Sequence, residues 1–395
     1  MAHYFIFPEK DTTLYSHPDR SVMNTGQDEI IEIVKEPGNT DQYNHPSRIL
    51  IQFKNEDIKD AHNLIGSEIF NDDSLTITSS VTLQLTVADA KNLTTTHNIN
   101  TYAVSQSWTE GTGKYLNLPT GSDGASWEYR DNSTIATEWT GSGTDTNWFG
   151  TNTFGTGSIS SSILTQGGGT WYTGSEFAAT QQFLVGEPLD TMLEVKNIIK
   201  KYSQSLYNGE SIPTGISNYG FLLKMADSVE AAASSSFGEI QYFSSNTHTI
   251  YPPKLVFKWD DSVQKLPEQV NSAKSGSMFV SLYNNQKEYN QNDETIFRIH
   301  VRDKYPDRTF STTSNNLNIG YFTTSSYYSV RDAYSEREII PFDDYTKLSA
   351  DENGMFFKLY MKGLQPERYY RLLFKNVHTD GTTIYDNDYY FKVVR

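Results

Sequence analysis

Short segments of two-residue alternation, each closed by a turn, recur along the chain and restrict it to sheet-based folds. In residues 81–87, Val81, Leu83, Leu85 and Val87 fall on one face and Thr82, Gln84 and Thr86 on the other. Residues 47–53 place Ile49, Ile51 and Phe53 on one face. Further strands are predicted at residues 11–16, 29–35, 219–224 and 253–259, with a turn at Asn24, Thr25 and Gly26. The pattern predicts an all-β protein.

The order of these landmarks carries a resemblance. Asp11, Thr12, Leu14 and Ser16 open the series, and Asn24, Gly26 and Ile31 follow as a loop and strand. Ser47, Arg48, Leu50, Ile51 and Phe53 come next, then Val81, Leu83, Leu85 and Val87, then Val104, Trp108 and Glu110. Phe243, Ser245, Pro252, Pro253, Leu255 and Phe257 close it. In this order the segments resemble the DNRLRE-type jelly-roll domain, a β-sandwich of secreted surface proteins and polysaccharide-active enzymes. A valine stands at Val81 where that family has alanine, and a long insertion follows Trp108. The resemblance implies a sandwich that binds or scaffolds and rarely catalyses. The matched positions are core and turn residues, so no ligand-binding residue carries over.

Charge divides the chain. The net charge is −16, and residues 1–261 hold all of it, with 31 acidic and 15 basic residues against 17 of each in residues 262–395. This asymmetry places a domain boundary near residues 260–267. The acidity argues against nucleic acid as a partner, because phosphate binding needs a basic patch. Clustered carboxylates leave Ca²⁺ as the one ion to consider, although no Asp-x-Asp-x-Asp loop is present and no cofactor is called for. The absence of cysteine excludes disulfides and thiolate chemistry. No apolar run is long enough for a transmembrane helix, so no membrane insertion is expected, and the N-terminal residues do not read as a signal peptide.

The expected organisation is a jelly-roll over residues 1–261, interrupted by an insertion at 109–176, and a second β-sandwich over residues 262–395. The insertion is dense in Gly, Ser, Thr and Asn, which by composition reads as flexible. Five of the six tryptophans nevertheless lie in it or at its edge: Trp108, Trp127, Trp139, Trp148 and Trp171. Ordering such a segment is entropically costly, and aromatic burial would have to offset that. Three roles are open for these rings: packing across the end of their own sandwich, anchoring a partner subunit, or stacking on a glycan. Trp127, Trp139, Trp148 and Trp171 are the candidate partner or glycan contacts. One helix is predicted over residues 189–203, with Thr191 and Glu194 as a capping box and Met192, Val195, Ile199 and Tyr202 at helical spacing. Arg48, mid-strand in an apolar run, requires a carboxylate partner and reads as half of a structural ion pair.

Seven short strands are predicted after the linker, at residues 277–283, 294–302, 317–322, 336–340, 355–362, 369–377 and 389–393. Phe297, Ile299 and Val301 face inward, as do Phe357, Leu359 and Met361. Leu364, Pro366, Tyr370 and Leu372 resemble a segment of fibronectin type III and related immunoglobulin-like sandwiches. That resemblance implies that the tyrosine packs and hydrogen-bonds at a sheet corner.

No catalytic constellation emerges. The eight histidines are dispersed, and no nucleophile elbow or phosphate-binding loop occurs. Carboxylate pairs such as Asp72/Asp73, Asp343/Asp344 and Asp386/Asp388 sit in turn-like context and read as solvated. The expectation is therefore a non-enzymatic structural protein of a tailed-bacteriophage virion, in the tail, baseplate or neck rather than the capsid shell. It would be made in the host cytoplasm and act through contacts with other virion proteins in an oligomeric assembly. The runner-up is a carbohydrate-binding surface protein recognising a polysaccharide. A polysaccharide lyase or hydrolase comes third and would need carboxylates, or Tyr, His and Arg, converging in a cleft.

Overall fold

The computed structural model describes residues 2–37, 44–65, 79–93, 96–139, 148–149, 167–172, 174–207, 215–230, 238–265, 278–305, 310, 312 and 319–395. The fold is all-β. The chain folds into two compact units: residues 6–71 with 81–256, and residues 257–395 joined by 1–5 and 72–80. The first residues of the chain thus group with its C-terminal part.

The larger unit is built on an eight-stranded sheet. Its order is Ala178–Phe183, His97–Ala103, Phe221–Met225, Asn44–Phe53, Ile30–Pro37, Gly238–Phe243 and Val87–Lys91, with Pro8–Tyr15 also paired to Asn44–Phe53. The alternation read in residues 47–53 is only half of the burial pattern there. Ile49, Ile51 and Phe53 are fully buried as expected, but so is Leu50 between them. Both faces of this strand are covered, because the insertion lies against the second face (below).

The predicted helix is displaced. Thr191–Glu194 is a strand, antiparallel to Ser79–Leu85, and the helix runs Lys196–Tyr207. Thr191 is therefore no cap. Its hydroxyl pairs with that of Tyr242 at 2.8 Å, and Thr191 and Leu193 point inward while Met192 is exposed. Cross-strand burial of alternate residues outweighs the local capping signal here. Glu194 keeps an end role: Oε1 accepts from the backbone N–H of Lys196 at 3.3 Å and of Val81 at 2.9 Å. Val195, Ile198, Ile199 and Tyr202 are buried. A second helix, Asn55–Ile65, packs against this one, and His62 Nδ1 meets Ser203 Oγ at 2.5 Å.

The other unit contains two antiparallel-dominated sheets. One orders Met278–Tyr283, Glu294–Asp303, Gly354–Tyr360 and Ser349–Asp351; the other Glu288–Asn290, Gly381–Val394, Arg368–His378, Ser326–Asp332 and Glu338–Ile340. Phe297, Ile299, Val301, Phe357, Leu359 and Met361 all point into its core. Tyr370 is buried and donates its hydroxyl to the Gln365 carbonyl at 2.9 Å, five residues upstream, between buried Leu364 and Leu372. Ser326–Asp332, which the sequence reading omits, holds a central place paired with Arg368–His378. The strand expected at 317–322 is reduced to a bridge from Gly320 to Val301, with residues 317 and 318 outside the described residues.

Candidate functional site

The described residues of the insertion fold back as a lid. Trp108, Trp127, Trp139 and Trp171 are each at most 5% exposed and form one apolar cluster with Leu14, Leu50, Val104, Ala125 and Leu222. Leu14, Leu50 and Leu222 come from three strands of the eight-stranded sheet and face outward from its main core. Each indole buries on the order of 200 Å², worth roughly 5 kcal/mol before ordering costs. The Trp108 Nε1–H donates to the Tyr219 carbonyl and the Trp139 Nε1–H to the Ser126 carbonyl, both at 2.9 Å, so burial leaves neither unsatisfied. Trp127, Trp139 and Trp171 therefore present no free ring to a sugar or a partner: their burial replaces the contact role expected of them with packing. Trp148 enters a two-residue strand, Trp148–Phe149, paired with Trp171–Tyr172, and its side chain lies outside the described residues.

Beneath this lid lies an ion cluster. Arg48 and Lys224 share the outward face with Leu50 and Leu222, and both reach Glu230. Arg48 Nη2 donates to Oε2 at 2.9 Å and Nε to Oε1 at 3.3 Å, while Lys224 Nζ stands 2.8 Å from Oε2. All three side chains are at most 4% exposed. Burial pushes the Glu230 carboxyl up, but Arg48 and Lys224 outweigh it and hold the group below the usual carboxylate range. The guanidinium also lies 4.8 Å from the Trp127 ring centre and 5.2 Å from that of Trp171, and it donates to the Gly168 carbonyl at 2.8 Å. Gly168 has φ +78°, and a Cβ there would fall 2.6 Å from Arg48 Nη1. The ion-pair partner required of Arg48 is thus Glu230, and the pair fastens the lid.

The base of the insertion is held by Asn24. Its Nδ2 donates to the carbonyls of Glu110 at 2.6 Å and Ala125 at 2.8 Å, and its Oδ1 accepts from the N–H groups of Gly26 at 3.1 Å and Gly113 at 2.9 Å. A Cβ on Gly113 would meet the Asn24 carbonyl oxygen at 2.1 Å, so the loop closes only over glycine.

A different arrangement opens to solvent. Tyr15, Glu32, Glu36, Tyr115, Glu239 and Gln241, with Asp28, Ile30 and Val34, line a cleft of about 560 Å³. The Tyr15 hydroxyl donates to Glu32 Oε1 at 2.7 Å, and Gln241 Nε2 donates to Glu32 Oε2 at 3.1 Å. Arg20 bridges Glu36 at 2.5 Å and the Tyr115 hydroxyl at 2.7 Å. Burial pushes the Glu32 carboxyl up, opposed by its hydrogen bonds from Tyr15 and Gln241 and assisted by Glu239 and Glu36. The cleft offers hydrogen-bond acceptors and one half-exposed phenol ring, Tyr115. The sequence reading did not find it, because its residues come from four separated segments of the chain.

Among the described residues, no group of three or more His, Cys, Asp or Glu side chains is placed to hold a metal ion, and no helix is long and apolar enough to cross a membrane. Asp386 and Asp388 are not simply solvated: Arg371 Nη2 pairs with Asp386 and lies 3.3 Å from Asp388 Oδ1. Asp343 is likewise engaged, with Lys258 Nζ at 3.0 Å and His3 Nε2 at 3.4 Å from its Oδ2. Asp72 and Asp73 lie outside the described residues. No known protein family matches the chain, and no curated protein is similar to it.

Proposed function

We propose that the chain is a non-enzymatic structural component of a tailed-phage virion, in the tail, baseplate or neck, acting through contacts with other virion proteins. The observation that supports this most is the use made of the insertion. Trp127, Trp139 and Trp171 and the charged groups beneath them are spent on stiffening the larger unit, as suits a building block. The sequence order resembling a jelly-roll followed by an immunoglobulin-like module agrees with that use. Surfaces for contact remain: Phe279, Tyr283 and Ile296 are 42%, 63% and 56% exposed on the outer side of one sheet of the C-terminal unit. Val185 and Met192, 77% and 55% exposed, are further exposed apolar side chains of the larger unit. The test is mass spectrometry of density-purified particles of the phage that encodes the chain. Recovery in fixed proportion to a tail or neck protein supports the proposal, and absence from the particles refutes it.

The acidic cleft favours a second reading, a carbohydrate-binding protein. Carboxylates, an amide and a phenol ring suit the hydroxyls and faces of a neutral sugar, and the excess of carboxylates over the cations Arg20 and Lys91 would repel an anionic polysaccharide. A glycan array in which neutral polysaccharides bind, and binding is lost in Tyr115→Ala, would favour this reading over the first.

A further inference from the structure

We propose that Asp11 is a proton-sensitive latch between the base of the insertion and the loop that follows strand Gly238–Phe243, closed when its carboxyl is neutral and loosened when it is ionised. Asp11 is 1% exposed and stands where three segments converge. Its own strand is the first. The insertion base is the second: the Asp11 N–H donates to Glu110 Oε1 at 3.4 Å. The loop after Phe243 is the third, where the Ser245 N–H donates to Asp11 Oδ2 at 2.6 Å.

Ser245, through its backbone N–H and its side chain, is the only residue that donates to this carboxyl among the described residues, which is little for a charge removed from water. The charged groups around it are mostly of like sign. Glu9 and Lys10 flank it on its own strand, Asp28 faces it from the loop after Gly26, and Glu110 from the insertion. The Lys10 ammonium is committed elsewhere: it donates to the Trp108 carbonyl and lies 4.2 Å from the centre of that ring. Beyond Ser245, His248 is exposed and lies 3.8 Å from Glu29. Burial is the main cause that raises the Asp11 carboxyl from 3.8 to about 7, with Ser245 opposing and Glu110 and Asp28 adding to it.

The consequence has a definite sign. Between roughly pH 4 and 7 the folded protein holds this proton and the unfolded chain does not, so the junction is firmest in acid and weakens as pH rises through about 7. Loosening here reaches the insertion directly, because Glu110 is also the residue whose carbonyl Asn24 holds.

The experiment is amide hydrogen exchange at Gly111, Thr112, Gly113 and Ser245 in the full chain, for wild type and Asp11→Asn at pH 5.5 and 8.0. Comparing the two proteins at the same pH cancels the intrinsic pH dependence of exchange. The expected result is faster exchange in wild type than in Asp11→Asn, by a factor at least about tenfold larger at pH 8.0 than at pH 5.5, a change of about one pK unit in junction opening. A ratio near one at both pH values overturns the proposal. Should Asp11→Asn fail to fold, Glu110→Gln serves: removing a like charge lowers the Asp11 carboxyl, so the pH at which exchange stops accelerating must shift to lower pH, and an unmoved profile refutes the latch.

Discussion

The Arg48 guanidinium lies 4.8 Å from the centre of the Trp127 ring, so a strand of the sheet and a ring of the insertion share one cation. The same guanidinium meets Glu230 at 2.9 Å. Glu230→Gln removes the carboxylate that Arg48 and Lys224 both contact, and breaking a buried ion pair on one side costs about 3–5 kcal/mol. Urea unfolding of the variant should show that loss. A change below about 1 kcal/mol would mean that the lid is not fastened through this cluster.

Trp139→Ala distinguishes packing from recognition. The ring is 3% exposed and its N–H is satisfied internally, so truncation should cost about 3–5 kcal/mol through cavity formation and leave glycan or partner binding unchanged. Thermal unfolding beside a binding assay measures both. A stable variant that has lost binding contradicts the lid.

How much of this was legible in the sequence depends on the range of the signal. Alternation located the strands, because a half-buried strand writes its burial into every second residue. It misread residues 47–53 because Leu50 is covered by tryptophans contributed from more than 50 residues away, which no local period records. The need of Arg48 for a carboxylate was readable, but Glu230 lies 182 positions along the chain and only folding identifies it. Gly167, Gly168 and Gly169 read as flexibility, yet all three have positive φ, a conformation that glycine fills without strain. The cleft was illegible for the same reason as the lid: its acids look like ordinary solubilising charge until the strands carrying them are paired.

Acid should weaken the C-terminal unit through Asp343. Burial raises this carboxyl, but His3 and Lys258 outweigh it and hold the group at about 2, against 3.8 in the unfolded chain. A depressed carboxylate stabilises the fold above the unfolded value, and that contribution is lost as pH falls from about 4 through 2. It amounts to roughly 2 kcal/mol. Asp343→Asn should be less stable at neutral pH and should flatten this limb of the stability profile. An unchanged limb would mean that other carboxylates carry it.

Tyr370→Phe removes one hydroxyl, the donor to the Gln365 carbonyl at 2.9 Å, and keeps the buried ring. A loss of about 1 kcal/mol is expected, measured by chemical denaturation. A loss near zero would show that the corner rests on the ring alone.

The structural role itself is tested most directly by the molar mass of the full chain in solution, from light scattering over a range of concentrations with and without Ca²⁺. One chain weighs 44.8 kDa. The proposal predicts a defined multiple of that mass, independent of Ca²⁺, or a chain driven into one by a co-expressed virion neighbour. A monomer at every concentration that ignores such neighbours and binds a polysaccharide would contradict it.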